Sequence, residues 1–220
     1  IILFFFFYFN SSYQIQFIEI KKINFLINLG KYSIFFSIFV FIYVLQAFNL
    51  FDGVNLQTTL FSISVFGYLF FLSQNIIFLL IILYLVIFLY FNYKTYSFLG
   101  DGGCHIIAFV ICVYFSKLYN LREISLVEVC ILLSLPCFDL FRIFFLRISE
   151  GNSPFLADNN HFHHIVVKKF SFKILMFFLC LYFFAEIFLL IYFPNFISFV
   201  FLFLIYIFCI FLSKSNRSIK

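Results

Sequence analysis

Long apolar runs dominate the chain, and short polar segments separate them. We identify seven runs of about 20 residues, the length that an α-helix needs to cross the hydrocarbon core of a membrane. They lie at roughly 32–51, 57–74, 76–92, 103–118, 125–147, 171–193 and 196–212, with an apolar remnant at 1–9. A membrane β-barrel would instead show short segments of alternating polarity. The predicted fold is therefore all-α, a polytopic transmembrane helical bundle of about seven complete spans.

The composition agrees with a membrane protein and excludes other classes. The chain of 220 residues is 65% hydrophobic, its mean hydropathy is +1.15, and 10% of it is charged, whereas soluble domains carry about 25% charged residues. The six cysteines form no Cys-x-x-Cys pair, so neither a zinc site nor a disulfide framework is indicated. The net charge of +5 comes without a basic stripe, so we expect no nucleic-acid partner.

The few aspartates lie among the other polar signals of the chain. Only four occur, at Asp52, Asp101, Asp139 and Asp158. Ionisable groups in or near a bilayer are expensive, so each is first treated as a functional residue with a partner. Asp139 precedes Arg142 by three residues on one helix face. This spacing leaves two interpretations open, a buried ion pair between helices or a role in chemistry.

The predicted spans place these polar segments on one side of the membrane. If the span 32–51 delivers Asp52 to one side, the later spans return Asp101 and the loop 149–170 to the same side. That side collects nine basic residues and the other side collects five. Basic residues favour the cytoplasmic side. We therefore expect 149–170 to be a cytoplasmic, histidine-rich loop.

Two aspartates stand at the ends of predicted spans. Gly100-Asp101-Gly-Gly103 opens one span, where glycines let a ligand approach the backbone and a helix N-terminus offers N–H groups to an anion. A carboxylate beside a phosphate is a common Mg²⁺ arrangement, and the plainer alternative is a helix cap. Asn49-Leu-Phe-Asp52-Gly53 ends another span. Asp52 is either a second ligand for metal or nucleotide, or part of a tight turn.

The loop 149–170 carries the densest polar cluster. Its members are Ser153, Asp158, His161, His163 and His164, and Arg142 and Arg147 precede it. Arginine binds phosphate through paired hydrogen bonds, and histidine transfers protons near neutral pH. No second Cys or His pair completes a zinc tetrahedron. The pattern therefore predicts phosphate contacts.

Taken together, the motifs resemble a known family, the membrane-embedded polyprenyl-phosphate N-acetylhexosamine-1-phosphate transferases of glycosyltransferase family 4. Three blocks are similar in order: Asn49-Leu-Phe-Asp52-Gly53, Phe98-Leu-Gly100-Asp101-Gly-Gly103, and Ser153-Pro-Phe-Leu-Ala-Asp158-Asn-Asn-His161-Phe-His163-His164. The split histidine block is similar to the N-acetylglucosamine-type branch. The muropeptide-type branch instead carries three consecutive histidines after a proline.

The resemblance implies a reaction, a location and partners. The family transfers a sugar 1-phosphate from a UDP-sugar to a polyprenyl phosphate at the cytoplasmic face of the bacterial inner membrane. UMP is released, and the product enters a cell-envelope polysaccharide pathway. The implied cofactor is Mg²⁺, with Mn²⁺ as the alternative, and the implied donor is a UDP-N-acetylhexosamine. Membrane lipid surrounds the bundle, and the oligomeric state stays open, a homodimer included.

The resemblance also implies roles for individual residues. Asp101 and Asp52 would hold the metal. The implied catalytic residues are Asp52, Asp101, His161, His163 and His164. The implied substrate-binding residues are Asn49, Asn55, Gly100, Arg142, Arg147, Ser153 and Asp158.

The sequence departs from the family pattern at several positions. Asn55-Leu56 replaces Asp-Gly, Gln46 replaces a usual Asn, and Cys104 replaces a Ser. The family's earlier Asp-Asp pair would lie upstream of Ile1, so we expect residues 1–220 to be the C-terminal two-thirds of a single integral-membrane transferase domain. The alternatives are a muropeptide-type transferase, a truncated inactive member, and a transporter whose polar residues line a path.

Overall fold

The fold is a bundle of helices with one small β-hairpin, and a computed structural model describes residues 1–20, 24–153 and 160–214 of it. The helices are α1 (Ile2–Phe9), α2 (Ser33–Phe51), α3 (Gln57–Ser73), α4 (Ile76–Tyr93), α5 (Gly100–Asn120), α6 (Leu126–Leu132), α7 (Ser134–Ser149), α8 (Phe162–Lys169), α9 (Phe172–Tyr192) and α10 (Phe196–Lys214). The strands are β1 (Phe17–Ile20) and β2 (Phe25–Asn28). The predicted class, a polytopic helical membrane bundle, is confirmed.

The predicted count of about seven spans is not confirmed. Within the described ranges, five helices are long and apolar enough to cross a membrane, namely α2, α4, α5, α9 and α10. A sixth span exists only if α6 and α7 are counted as one bent span. The remaining apolar helix, α3, has 17 residues, which is at the short end for a crossing.

The run predicted as one straight span at 125–147 is broken in the middle. Helix α6 ends at Leu132, α7 begins at Ser134, and their axes differ by 77°. Pro136 lies in the first turn of α7. Its ring conflicts with the carbonyl group four residues earlier, that of Leu132, and it has no N–H to donate. The proline therefore explains the position of the bend.

The N-terminal part contains the β-hairpin, which the hydrophobic pattern did not predict. Strands β1 and β2 pair antiparallel, with Phe17 opposite Asn28. The hairpin is fixed to the end of α5, because the Glu19 N–H donates to the Tyr119 hydroxyl at 2.8 Å. This end of α5 is opposite to the end that carries Asp101. The hairpin is thus remote from the predicted site.

Aromatic packing joins the helices that surround the site. The ring centroids of Phe48 on α2 and Phe61 on α3 are 5.1 Å apart, and those of Phe61 and Phe183 on α9 are 5.6 Å apart. Phe48 and Phe61 are fully buried. Rings in such contacts stabilise beyond their buried area. These contacts fix α3 between α2 and α9.

The connection from α2 to α3 passes through a left-handed residue. Leu56 has φ +74°, a region that side chains with a Cβ atom rarely adopt. It stands where the related family has glycine, which adopts this conformation without steric cost. Leu56 therefore introduces backbone strain at a position where the family resemblance implies glycine.

We predict that Leu56→Gly stabilises the chain. Relief of the left-handed strain stabilises the folded chain by about 1–2 kcal/mol. Glycine offsets about 0.5–1 kcal/mol of this gain, because it has more conformational freedom in the unfolded chain. The free energy of unfolding should therefore rise by about 0.5–1 kcal/mol, measured by titration with sodium dodecyl sulfate in mixed micelles. Leu60→Gly, one turn into α3, is the control and should lower it. Equal losses in both variants would contradict the prediction.

Candidate functional site

Asp52 and Asp101 meet at Cys104. Asp52 follows the last residue of α2, and its N–H donates to the carbonyl groups of Phe48 and Asn49 at 3.1 and 3.3 Å. The Cys104 thiol, buried in the first turns of α5, lies within electrostatic reach of both the Asp52 carboxylate and Asp101. The two aspartate motifs therefore share one location.

The glycine-rich start of α5 leaves backbone N–H groups free. Leu99 is the capping residue and makes no side-chain hydrogen bond, and Gly100 has φ +65°. Asp101 lies in the first turn and is exposed, so the alternative that Asp101 is the helix cap is wrong. The first N–H groups of a helix have no partner inside it. This end of α5 can therefore bind an anion beside an exposed carboxylate.

Asn92 joins the two aspartate loops, and sequence reasoning missed it. Its Oδ1 accepts from the N–H of Leu56 at 2.6 Å, and its Nδ2 donates to the carbonyl group of Ser97 at 2.9 Å. Asn92 is buried at the end of α4. One amide thus connects the loop after Asp52 with the loop before Asp101. The available signal was a single asparagine near the end of an otherwise apolar run.

His163 packs directly on the loop of the first motif. The imidazole lies against Gly53, so close that a Cβ atom on Gly53 would overlap the ring. The ring is 1% exposed and is parallel to that of His161, with centroids 5.7 Å apart. The His164 ring is 4.2 Å away, between centroids. The absence of a side chain at Gly53 is what lets the histidine motif reach Asp52.

A buried carboxylate holds the histidine segment to the bundle. Asp139 on α7 accepts hydrogen bonds from His161 Nδ1 at 2.9 Å, from the Phe162 N–H at 3.0 Å and from the Tyr206 hydroxyl at 2.9 Å. Arg142 Nη2 donates to the same carboxylate at 2.8 Å. We call Asp139, Arg142, His161 and Tyr206 the Asp139 latch. The interpretation of Asp139 and Arg142 as a buried ion pair is supported, and the pair also binds α8 and α10.

Arg142 is used mainly inside the latch. Its Nε donates to the Tyr206 oxygen at 2.7 Å, and its Nη2 also donates to the Asn160 carbonyl oxygen at 2.5 Å. Only Nη1 is buried without a hydrogen-bond partner among the described residues. One guanidinium nitrogen is therefore available to a substrate, rather than the whole fork expected from the sequence.

Further buried polar atoms beside the motifs also have no partner in the described part of the chain. They are both ring nitrogens of His163, both amide atoms of Gln57 and the hydroxyl of Thr58. An unsatisfied buried polar group costs about 1–3 kcal/mol, and each one requires an explanation such as a ligand or water. Sequence reasoning missed Gln57 and Thr58, although a Gln-Thr-Thr start is unusual for an apolar helix.

The environment of His163 keeps its ring neutral. Burial, followed by the charge of the neighbouring His164, lowers the pKa of His163 from 6.5 to about 3. A neutral imidazole has one N–H donor and one acceptor nitrogen. His163 can therefore donate a hydrogen bond to a phosphate oxygen, but it carries no positive charge near neutral pH.

The remaining predicted residues are distributed around this centre. Asn49 and Asn55 are half-buried near Asp52, Gly100 is exposed, Arg147 is buried on α7, and Ser153 is exposed. Asp158 lies outside the described residues. The predicted loop 149–170 includes helix α8, so part of it is ordered as a helix.

Asp52 and Asp101 are better suited to a Mg²⁺ site that substrate oxygens complete than to a metal site built from protein ligands alone. Among the described residues, no group of three or more His, Cys, Asp and Glu side chains could hold a metal ion. Mg²⁺ is usually held by one or two carboxylates together with substrate phosphates and water. Asp52 and Asp101 beside an uncapped helix start fit that pattern.

We predict that Gly53→Ala disrupts the contact between the two motifs. The added methyl group would overlap the His163 ring, and such overpacking costs about 1–3 kcal/mol. Unfolding in mixed micelles measures the loss. Gly67→Ala is the matched control, because its Cβ atom meets nothing within 4 Å and should stabilise α3 slightly. An unchanged stability of Gly53→Ala would mean that His163 does not occupy this position.

Comparison with known proteins gives a family and partial relatives. The family model described as "Glycosyl transferase family 4" matches residues 1–118. Two enzymes named undecaprenyl-phosphate alpha-N-acetylglucosaminyl 1-phosphate transferase, from Salmonella typhi and Yersinia pestis, are 30% and 29% identical to this chain over 79 residues. The matched segment covers 35% of this chain and 21% of the length of each relative. No solved structure matches.

The family match includes the first two aspartate motifs and extends over more than half of the chain. Within the fold, these motifs meet at Cys104, and the histidine segment packs on Gly53. The chain is a multi-pass membrane protein that belongs to glycosyl transferase family 4.

Proposed function

We propose that this chain is the membrane-embedded catalytic part of a polyprenyl-phosphate sugar-1-phosphate transferase. The donor is a UDP-N-acetylhexosamine, the acceptor is a polyprenyl phosphate, and UMP is released. The observation that carries the proposal is the convergence of Asp52, the Asp101 helix start and His163 at one location. The names of the partial relatives support the lipid acceptor and the sugar phosphate.

The reaction joins two anions, so its catalysis is mostly positioning and neutralisation of charge. An oxygen of the lipid phosphate forms a bond to the phosphorus that carries the sugar. The bond from that phosphorus to the bridging oxygen breaks, and UMP leaves with the electron pair. The N–H groups at the start of α5 and one nitrogen of Arg142 are suited to stabilise the oxygens on which charge collects.

The two carboxylates are the proposed metal ligands. Asp101 is exposed beside the N–H groups that open α5, and Asp52 lies near Cys104 of the same helix. When bound, Mg²⁺ supplies Lewis-acid polarisation of phosphate oxygens. His163, neutral and without a protein partner among the described residues, would donate a hydrogen bond to the diphosphate.

Gln57 and Thr58 are proposed as additional donor contacts. Both are fully buried, and both lie in the first turn of α3, directly after Asn55. Asn55 lacks the charge of the acid that the related family carries near the nucleotide. A carboxamide and a hydroxyl at this place offer neutral hydrogen bonds instead. This supports a UDP-sugar donor and leaves the choice of hexosamine to experiment.

We predict that Asp101→Asn, in the full-length protein, lowers Mg²⁺-dependent release of UMP by on the order of 10²-fold or more, since charge stabilisation at a phosphoryl group is the largest catalytic contribution. UDP-N-acetylglucosamine and UDP-muramoyl-pentapeptide are supplied separately with polyprenyl phosphate. Glu123→Gln, an exposed acid at the opposite end of α5, is the control and should keep activity. Near-normal turnover of Asp101→Asn would contradict the metal role. If only UDP-muramoyl-pentapeptide yields a lipid product, the chain belongs to the muropeptide-type branch instead.

The site is proposed to face the cytoplasm. The proposal rests on the seven-span assignment made from the sequence, in which nine basic residues lie on the side of the motifs and five on the other. In a background without native cysteines, Asn160→Cys should resist a membrane-impermeant thiol reagent added to intact cells and react after permeabilisation. Labelling by reagent added outside intact cells would show that the site faces the opposite side of the membrane.

A further inference from the structure

Helix α9 carries a buried acid that none of the motifs uses. Glu186 is fully buried inside a membrane-spanning helix. Its Oε1 accepts a hydrogen bond from the Ser134 hydroxyl at 3.2 Å, and Ser134 Oγ is 2.8 Å from the Tyr182 hydroxyl. The second contact is a hydrogen bond between two hydroxyl groups, either of which can donate. Ser134 and Tyr182 are also buried.

Ser134 stands at the bend between α6 and α7. It is the first residue of α7, and the preceding Leu133 provides no side-chain cap. Pro136 removes one of the hydrogen bonds that would otherwise continue the helix. The axes of α6 and α7 differ by 77° at this break, and a proline is a usual cause of such a kink. The bonds from Ser134 to α9 supply a restraint from outside.

Two routes lead from this bend to the Asp139 latch. The first is α7 itself, since Asp139 lies five residues after Ser134, about 7.5 Å along a rigid helix. The second is aromatic, because the Tyr182 ring is 5.9 Å from Phe178, and Phe178 is 5.2 Å from Phe162, between centroids. The Phe162 N–H is bound to Asp139. Both routes end at the segment that carries His161 and His163.

We propose that Glu186 is a positioning residue, which holds Ser134 at the bend and thereby keeps the Asp139 latch and His163 in place. An ionisable group in a membrane span is costly and usually has a function, and a leucine would pack here without that cost. The second oxygen of Glu186 has no hydrogen-bond partner in the described part of the chain. Ser134 is therefore the contact through which this carboxyl group acts. The importance of the histidines rests on the proposed function, but their position can be measured without turnover.

The test is the rate at which diethyl pyrocarbonate modifies each histidine of the purified chain, resolved by tandem mass spectrometry. His161 and His163 are 5% and 1% exposed, so they should react slowly in the native chain. Glu186→Leu should raise both rates about fivefold, the change in open population that the loss of one net hydrogen bond produces. Glu186→Gln keeps an acceptor for Ser134 and should restore the native rates.

Ser134→Ala is the second variant and should raise the same two rates, because it removes the other half of the contact. Ser62→Ala is its matched control, since the Ser62 hydroxyl is buried and bonds only within its own helix, to the Thr58 carbonyl oxygen. His105, half-exposed on α5, should keep its rate in every variant. A parallel rise at His105 would indicate general unfolding and would overturn the proposal. Rates at His161 and His163 that stay within twofold in both Glu186→Leu and Ser134→Ala would also overturn it.

Discussion

The Asp139 carboxylate is the interaction on which the rest of the site depends. It lies on α7 and accepts hydrogen bonds from Arg142, from the His161 and Phe162 segment and from Tyr206 on α10. In a low-dielectric interior, removing one partner of such a group leaves a charge without compensation and is strongly destabilising. The segment that carries His161 and His163 is therefore held by charge and not only by apolar packing. This explains how a short helix such as α8 can present His163 to the loop of another motif.

Polar groups inside this bundle fall into two classes. One class is satisfied within the protein, as in the Asn92 amide that joins two loops and the Ser134 hydroxyl that binds α9. The other class is buried without partners among the described residues, and apart from Glu186 its members lie in the motifs or next to them. Apolar surroundings make an unmade hydrogen bond costly. The concentration of unsatisfied atoms near Gly53 is what a site for a polar, phosphorylated ligand would show.

The fold shows the surroundings of the residues that depart from the family pattern. Cys104 lies near Asp52, and Leu56 has a left-handed backbone that glycine would adopt without strain. Asn55 is different, because it is neutral where the family resemblance implies an acid. This motif therefore differs from the family pattern in its charge. Donor recognition is where this chain is expected to differ from its relatives.

The sequence by itself determined the membrane class, most of the helices and the positions of the three motifs along the chain. These features are local, since apolar runs and short clusters of Asp, Gly and His can be identified from neighbouring residues alone. The β-hairpin was missed because its short strands carry too weak a pattern among apolar segments. The bend at Pro136 was also missed, since a proline in a membrane span can kink it or leave it nearly straight.

Only the tertiary structure decided which polar groups meet. Asn92, Gln57 and Glu186 each look like isolated polar residues in apolar runs, and their roles depend on which helix packs beside them. The same holds for Arg142, whose Nε and Nη2 are occupied by Tyr206 and Asp139, so that only Nη1 is left for a substrate. A hydrogen bond requires two atoms within about 3 Å in a suitable direction. Spacing along the chain sets which residues share a helix face, whereas the packing of helices far apart in sequence sets which of those faces come into contact.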